Sequence, residues 1–306
     1  MKWIFRLLAP AGLALALGSA PGPTLAAEPR WEGALAGRLR QIKETRVVRL
    51  GYRENAIPFS YVGAEGRPVG YTLDLCRAIV ATIAADLGGV ELGIDYVRVT
   101  PLNRIQQVVD GAVDLECGAT TNTAERRQQI AFSPVIFITG TRIAVPRGSA
   151  IRDLNDLRGR PVAVVGGTTN AAAMREYDRL NGLAIPFVTA DDYRAALALL
   201  TTGRADALAA DDILLRGLLA ETKQSTVFRL VGDMLSLEPY GIMYPRGDGA
   251  LGDAVERTLR SLAESREITW IYDRWFVRPL PSGGRIGLPM STQLRRSLEL
   301  LGLPPE

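Results

Sequence analysis

The sequence predicts an α/β fold in which two lobes enclose a cleft. Short apolar strands alternate with helices of about ten residues along most of the chain, a pattern typical of α/β units with largely parallel sheets. The strand–helix–strand order begins twice, near Arg46 and again near Pro161. Because 306 residues are enough for two domains, we expect each start to build one lobe.

The first run of elements is expected to build lobe 1. In the helix predicted at 71–87, Leu75, Ile79 and Ile83 recur on one face. The same reasoning predicts strands at 46–52, 90–99 and 112–116 and helices at 71–87, 103–110 and 123–129.

The second run follows a long β-rich stretch at 135–145. Its pattern predicts strands at 161–165, 205–210 and 240–244, and helices at 171–180, 191–202, 212–219, 252–264, 267–276 and 291–301. In the helix predicted at 267–276, we expect Trp270, Trp275 and Phe276 in the core.

Two extended stretches, 136–143 and 236–244, are expected to cross between the lobes, which makes lobe 1 discontinuous. The expected division is a signal peptide at 1–27, an N-terminal linker or helix at 28–45, lobe 1 at 46–141 plus 240–276, lobe 2 at 142–239, and a C-terminal extension at 277–306 that packs on lobe 1.

Residues 1–27 have the pattern of a secretory signal peptide. Basic residues open the segment, an apolar run of about a dozen residues follows, and small residues lead to Ala26 and Ala27, where cleavage is expected. The alternative is a membrane anchor, which needs about 20 apolar residues, and Pro10 interrupts this run. We therefore predict export to the periplasm.

Composition excludes several functional classes. The chain has no His, which removes Ser-His-Asp catalysis and His-ligated metals, and we expect no cofactor or metal. The net charge of +3 falls to +1 once Lys2 and Arg6 leave with the signal peptide, which argues against nucleic acid as a partner. The two cysteines, Cys76 and Cys117, could form one disulfide or lie as two buried thiols.

Polar residues stand at the ends of predicted strands and the starts of predicted helices. In open α/β sheets, ligands bind at the carboxyl ends of the strands. The guanidinium group of arginine binds a carboxylate through two parallel hydrogen bonds. A helix N-terminus with threonine hydroxyls binds an anion, and an aspartate accepts hydrogen bonds from an ammonium group. The residues in these positions are Arg53, Arg104, Thr121, Arg126, Thr168, Thr169 and Asp211. Together they predict a site for an acidic amino acid.

Each of these residues alone has a plainer interpretation. Arg53 and Arg104 could be surface charges. Thr168 and Thr169 could cap the helix that follows them, and Asp211 could cap the next one. The combination, rather than any single residue, favours a binding site.

Several segments carry a family resemblance. They are GYRENAIPFSYVGAEGRPVGYTLDLC, LNRIQQVVDGAVDLECGATTNTAERRQQIAFSPVIFITGTR, VVGGTTN, DALAADDILL, EPYGIMYPRGD and WIYDRWF. On these motifs the sequence resembles the periplasmic solute-binding proteins of polar amino-acid ABC importers (family 3), particularly their glutamate/aspartate-binding branch. The resemblance implies the type II periplasmic binding protein fold, with two lobes and a ligand cleft between them.

The resemblance also implies roles for residues that would hold the amino-acid backbone of the ligand. Arg126, Thr121 and the backbone at Ala119 would hold the α-carboxylate. Asp211 would take the α-ammonium group, and Thr169 would support it from lobe 2.

For the ligand's side chain, the resemblance implies that Arg53 and Arg104 meet a carboxylate. This chain departs from the family pattern at two positions, with Pro101 where the family has Ser and Tyr193 where it has His. Tyr193 can still donate one hydrogen bond. Because a neutral amide would leave a buried arginine underpaired, we expect glutamate or aspartate as the ligand.

The function implied is that of a monomeric, non-enzymatic binding protein whose lobes close on the ligand and present it to an inner-membrane ABC permease. One alternative is a binding protein for another polar amino acid, such as glutamine or asparagine. Another is a periplasmic enzyme of the cyclohexadienyl dehydratase type, with Glu54 or Asp212 as a proton donor. A sensor module is a third alternative, and it would need a membrane anchor.

Overall fold

The computed structural model describes residues 37–305. The predicted signal peptide at 1–27 and the first part of the segment 28–45 lie outside the described residues. The rest of that segment forms a helix, α1, at Gly37–Thr45.

Strands and helices alternate along the described chain. Strands β1 to β15 lie at Val47–Tyr52, Asn55–Ala56, Ser60–Val62, Pro68–Val69, Gly93–Arg98, Leu115–Glu116, Ile130–Phe132, Phe137–Thr139, Thr141–Pro146, Val162–Val165, Phe187–Ala190, Ala207–Asp211, Phe228–Val231, Glu238–Tyr240 and Met243–Pro245. After α1, helices α2 to α9 lie at Tyr71–Asp86, Arg104–Val109, Thr169–Asn181, Tyr193–Thr201, Asp212–Glu221, Gly249–Glu264, Glu267–Tyr272 and Thr292–Leu301.

Two five-stranded sheets form the two lobes. The lobe 1 sheet has the order β5-β1-β6-β15-β7, and the lobe 2 sheet has the order β11-β10-β12-β9-β13. The expectation of largely parallel sheets holds with one reversed strand in each sheet: β15 runs antiparallel to β6 and β7, and β9 runs antiparallel to β12 and β13. These strands enter their sheets directly from the crossing segments, without the helical crossover that a parallel strand requires.

The two crossing segments lie side by side. Strand β8 pairs antiparallel with β14, from Phe137 opposite Tyr240 to Thr139 opposite Glu238. The strands predicted at 135–145 and 240–244 are each interrupted near a glycine, Gly140 in the first and Gly241 in the second. At Gly140 a Cβ atom would lie 2.2 Å from the carbonyl oxygen of Ser236, so only glycine permits the close approach of the two segments.

Sequence patterns missed the short strands. β2, β3 and β4 form a separate three-stranded sheet, and β7, β11 and β13 were also not predicted. Such short strands contain too few residues to display an alternating pattern. The predicted helix at 123–129 is shorter than expected and contains only a 3₁₀ turn at Arg126–Gln128. The predicted helix at 267–276 is helical throughout, with α8 continuing into a π-helical turn at Asp273–Val277.

An aromatic cluster packs where lobe 1 meets the crossing strands. The ring of Phe137, on β8, stacks on that of Phe276 with centroids 4.8 Å apart, and Phe59 contacts both rings edge-on. Trp275 and Phe276 are buried as expected, whereas Trp270 is 73 % exposed, so its predicted core position is wrong. Trp270 lies on the outer face of the short helix α8, whose buried face is formed by Ile268 and Tyr272.

A disulfide joins Cys76 on α2 to Cys117, directly after β6. The two residues are 41 apart in the chain, and closing a loop of this length contributes about 4 kcal/mol in the chain-entropy model. The bond ties helix α2 to the segment that begins at Gly118 and carries Ala119 and Thr121.

The C-terminal extension touches both lobes. Helix α9 packs against α7 of lobe 1 through Leu294 and Leu298, both buried. The segment before α9 lies instead against α6 of lobe 2, where Ser282 donates a hydrogen bond to Glu221. The expected packing on lobe 1 therefore describes only part of the extension. Among residues 37–305, none of the helices combines the length and the apolar character needed to cross a bilayer.

Candidate functional site

Three arginines from lobe 1 lie buried together at the cleft. Arg53 directly follows β1, Arg104 is the first residue of α3, and Arg126 opens the 3₁₀ turn. Their exposed fractions are 2 %, 3 % and 9 %. The alternative that Arg53 and Arg104 are surface charges is therefore wrong.

The crowding of positive charge is visible in the pKa values. Burial lowers the pKa of Arg53 to about 10, and the positive charge of Arg104 acts in the same direction. Burial likewise lowers the pKa of Arg126 to about 10, and the positive charge of Arg104 again adds to the effect. Like charges buried close together favour an anionic partner.

Backbone carbonyls orient two of these guanidinium groups. Arg126 Nη1 donates to the carbonyl of Thr121 at 2.9 Å, and Arg104 Nη1 donates to that of Ala119 at 3.4 Å. Within residues 37–305, the buried atoms Arg53 Nη1 and Arg104 Nε have no hydrogen-bond partner. A buried donor without a partner is costly, so these N–H groups are available to a ligand.

Gly118 lets this segment approach Arg53. A Cβ atom at Gly118 would lie 2.2 Å from Glu116 Oε1 and 3.0 Å from Arg53 Cγ. Glu116 is fully buried, accepts a hydrogen bond from Thr120 at 2.9 Å, and raises the pKa of Arg53, although its effect is smaller than that of burial.

The first turn of α4 places two threonines differently. Thr168 caps the helix, because its hydroxyl accepts from the N–H of Ala171 at 3.2 Å. Thr169 makes no such cap and instead donates to Glu238 Oε2 at 2.7 Å. The capping alternative therefore holds for Thr168, and Thr169 faces the cleft.

Asp211 ends β12 and lies buried, with 3 % of its surface exposed. It precedes α6 but makes no side-chain cap bond to it, so the capping alternative is wrong for this residue. Its Oδ1 accepts from Asn170 Nδ2 at 3.1 Å. Burial raises the pKa of Asp211 to about 7, and the nearby negative charge of Glu238 adds to the effect.

Tyr193 begins α5 and faces the arginines. Its ring centroid lies 5.9 Å from Arg53 Cζ, a distance typical of a cation–π contact. Burial raises the pKa of Tyr193 to about 12, with Asp211 acting in the same direction. Pro101 lines a cavity of about 60 Å³ that also contacts Arg53 and Asp192.

The structure brings together all eight residues singled out as ligand-binding: Arg53, Arg104, Ala119, Thr121, Arg126, Thr169, Tyr193 and Asp211. Thr121 comes from lobe 1 and Thr169 from lobe 2, and their hydroxyl oxygens lie 3.3 Å apart. A larger cavity, of about 540 Å³, opens nearby. Its lining includes Glu54, Asn55, residues 61–64, Asp192 and Ser282, and none of the three arginines lines it.

Sequence reasoning missed the acidic and amide groups behind the site. Glu116, Asn170 and Glu238 are all buried and face the predicted residues. The sequence contained one indication of Glu238: it is a charged residue inside a stretch predicted to cross between the lobes. No group of three or more His, Cys, Asp or Glu side chains within residues 37–305 is arranged to hold a metal ion.

Comparison with known proteins gives a consistent result. The model of the family "Bacterial extracellular solute-binding proteins, family 3" matches residues 48–278. The L-glutamate/L-aspartate-binding protein of Pseudomonas aeruginosa is 38 % identical over 264 residues, which cover 86 % of this chain and 87 % of that protein. The glutamate/aspartate import solute-binding protein of Salmonella typhimurium is 34 % identical, covering 81 % of this chain and 82 % of that protein.

Solved structures share the fold. An ancestral arginine-binding protein bound to glutamine superposes with a TM-score of 0.68 at 25 % identity, covering 76 % of this chain and 98 % of that one. An ancestral amino-acid-binding protein described as a precursor of cyclohexadienyl dehydratase superposes with a TM-score of 0.68 at 26 % identity, covering 78 % of this chain and 99 % of that one. The fold is thus the two-lobed, type II arrangement.

Proposed function

The chain belongs to family 3 of the bacterial extracellular solute-binding proteins, and on this premise we propose that it binds L-glutamate or L-aspartate as the solute-binding component of an ABC importer. One observation carries the proposal: three buried arginines and one buried aspartate face the same cleft. A dicarboxylic amino acid has two negative groups and one positive group, and this cluster complements that pattern of charge.

The α-carboxylate would lie against lobe 1. Arg126 offers a guanidinium fork, Thr121 offers a hydroxyl, and the backbone at Ala119 completes the site. On the opposite side of the cleft, Asp211 and Thr169 would accept hydrogen bonds from the α-ammonium group. The ligand would then bridge the two lobes.

The side-chain carboxylate would meet Arg53 and Arg104. Both arginines have buried nitrogen atoms without a hydrogen-bond partner in the described part of the chain, which supports a charged ligand over a neutral amide. Tyr193 covers Arg53 from lobe 2, in the position where the family pattern has His. A cationic side chain such as that of arginine would be repelled by the same cluster.

Binding would favour the closed form, because the ligand contacts groups of both lobes only when these have come together. The closed protein would then deliver the amino acid to an inner-membrane permease. We extend the proposal to export by the signal peptide at 1–27, location in the periplasm, and action as a monomer.

An enzymatic role finds less support. The two carboxylates considered as proton donors are both held by arginines: Glu54 pairs with Arg98 at 2.8 Å, and Asp212 pairs with Arg142 at 2.8 Å and Arg216 at 2.6 Å. Both carboxylates therefore already have arginine partners within this chain. The relatives compared above are named as binding proteins rather than enzymes.

Calorimetric titration of the exported chain with glutamate, aspartate, glutamine, asparagine and arginine tests the proposal. We expect binding of glutamate or aspartate at about micromolar affinity, and weak or no binding of the others. Tight binding of glutamine without binding of either acid would replace the acidic assignment, and turnover of an arogenate-like substrate would replace the binding function by the enzymatic one.

A further inference from the structure

Glu238 is a buried acid on the crossing strand β14, only 3 % exposed. In the described part of the chain, no arginine or lysine lies within ion-pair distance of its carboxylate. It is stabilised instead by two hydroxyls: Oε2 accepts from Thr169 at 2.7 Å, and Oε1 accepts from Ser236 at 2.6 Å. A buried negative charge is costly unless hydrogen-bond donors or an opposite charge compensate it.

A continuous hydrogen-bond chain leads from Glu238 to Asp211. Ser236 Oγ lies 2.8 Å from Thr141 Oγ1, and Thr141 Oγ1 accepts from Asn170 Nδ2 at 2.7 Å. The same amide nitrogen donates to Asp211 Oδ1 at 3.1 Å. The chain therefore joins the crossing segments to both lobe 2 residues that would hold the ligand's amino group.

The negative charge of Glu238 determines which group donates and which accepts in each hydrogen bond of this network. A carboxylate only accepts, so Ser236 and Thr169 must both donate to it. Because Ser236 has one proton, Thr141 must donate to Ser236 and must accept from Asn170. Thr169 has likewise used its only proton, so it presents nothing but lone pairs to the cleft, which suits an ammonium group and not a carboxylate.

We propose that Glu238 is a positioning residue for the ligand's amino group: through Thr169 and the chain Ser236–Thr141–Asn170, it holds Thr169 as an acceptor and Asp211 in place when the lobes close. The inference rests on the proposed function and assigns a role to a residue that does not itself touch the ligand.

The charge of Glu238 also acts on Asp211 through space. Burial and Glu238 raise the pKa of Asp211, while Tyr240 on β14, Asn170 on α4 and Arg104 on α3 oppose them. The hydroxyl of Tyr193, on α5, also lies close enough to Asp211 for the two groups to interact.

The sign of the pH effect follows from these contributions. The bound ammonium group keeps Asp211 ionised, so affinity falls as the pH is lowered through about 7, and binding near neutral pH releases protons. Without the charge of Glu238, the pKa of Asp211 is lower, so this loss of affinity begins at a lower pH.

Glu238→Gln tests the proposal, because it keeps the shape of the side chain and removes the charge. Titration with glutamate or aspartate between pH 5.5 and 8.5 should show affinity reduced about tenfold at the alkaline end, the effect of one charge-assisted hydrogen bond. The onset of weakening should move to lower pH, and titration in two buffers of different ionisation enthalpy should show fewer protons released near pH 7.

Ser236→Ala tests the hydrogen-bond chain separately, because it removes the hydrogen bonds from Ser236 to Glu238 and Thr141 and keeps the charge of Glu238. We expect a several-fold loss of affinity with the pH profile of the wild type. Ser133→Ala is the control: Ser133 is more deeply buried than Ser236, and it bonds to the backbone of Ile242 and Pro134, so its loss should lower stability and leave affinity unchanged.

The outcomes separate the two proposals. A wild-type protein that binds none of the amino acids overturns the proposed function. A wild-type protein that binds, with Glu238→Gln equal to it in affinity and pH profile, overturns the role of Glu238 alone. If Glu238→Gln does not fold, Ser236→Ala decides the question, and unchanged affinity in that variant overturns the role.

Discussion

Thr121 and Thr169 stand on opposite lobes, 48 residues apart in the chain, and their hydroxyl oxygens lie 3.3 Å apart in the cleft. Thr169 is held by Glu238, and the carbonyl of Thr121 holds Arg126. The contact thus brings a buried arginine of lobe 1 close to the acidic groups of lobe 2. A ligand with both a carboxylate and an ammonium group fits between such surfaces.

Arg126→Ala should abolish binding of every amino acid, because all of them carry the α-carboxylate that Arg126 is proposed to hold. We expect an affinity loss of at least about 100-fold, measured by calorimetry. Arg127→Ala is the matched control: the side chain of Arg127 is exposed and donates to Asn122, so this variant should bind normally. Retained affinity in Arg126→Ala would remove this residue from the site.

Arg104→Ala should weaken binding of glutamate far more than binding of glutamine. The charged side chain loses a charge-assisted pair worth roughly 1.5–3 kcal/mol, and the neutral amide loses less. The comparison is a calorimetric titration of the variant with both ligands. Arg98→Ala provides a control, because Arg98 is an exposed arginine paired with Glu54. Equal losses for both ligands would place Arg104 outside the side-chain pocket.

Asp211→Asn should abolish binding and stabilise the ligand-free protein. Because burial raises the pKa of Asp211 to about 7, its ionised form is penalised in the folded state, and stability is lost as the pH rises through about 7. Asn removes that penalty, so the free energy of unfolding at pH 8 should rise by on the order of 1–3 kcal/mol, with no gain at pH 4.

The next residue, Asp212, provides a control for which the same substitution should lower the free energy of unfolding. Asp212 is ion-paired with Arg142 and Arg216, so Asp212→Asn should lower stability under the same conditions. Urea denaturation at the two pH values measures both effects. A less stable Asp211→Asn at pH 8 would contradict the prediction.

Gly284→Ala should weaken ligand binding from outside the cleft. A Cβ atom there would lie 2.3 Å from the carbonyl oxygen of Ala220, so the C-terminal segment must move away from α6 of lobe 2. Because this extension contacts both lobes, its displacement should make closure less favourable and reduce affinity several-fold. Gly148→Ala, in open space on lobe 2, should have no effect, and equal affinity in the two variants would refute the idea.

Local sequence rules located the candidate residues well. Arg104 and Thr169 each begin a helix, and Asp211 ends a strand, so the alternation of strands and helices was enough to place them at one edge of each sheet. Tyr193, which begins α5, was indicated only by the family resemblance. Trp270 shows the limit of the same reasoning, because an apolar residue on a short helix gives no sign of which face another element will cover.

The sequence by itself determined the two-lobed α/β fold, the family, and the arginines, threonines and aspartate at the strand ends. Only the tertiary structure decided which of these groups meet. Glu238 reaches Thr169 across 69 residues of chain because β8 and β14 pair in one register and carry it between the lobes. That register depends on packing contacts far apart in the sequence, and burial of apolar surface is non-directional, so no local pattern encodes it.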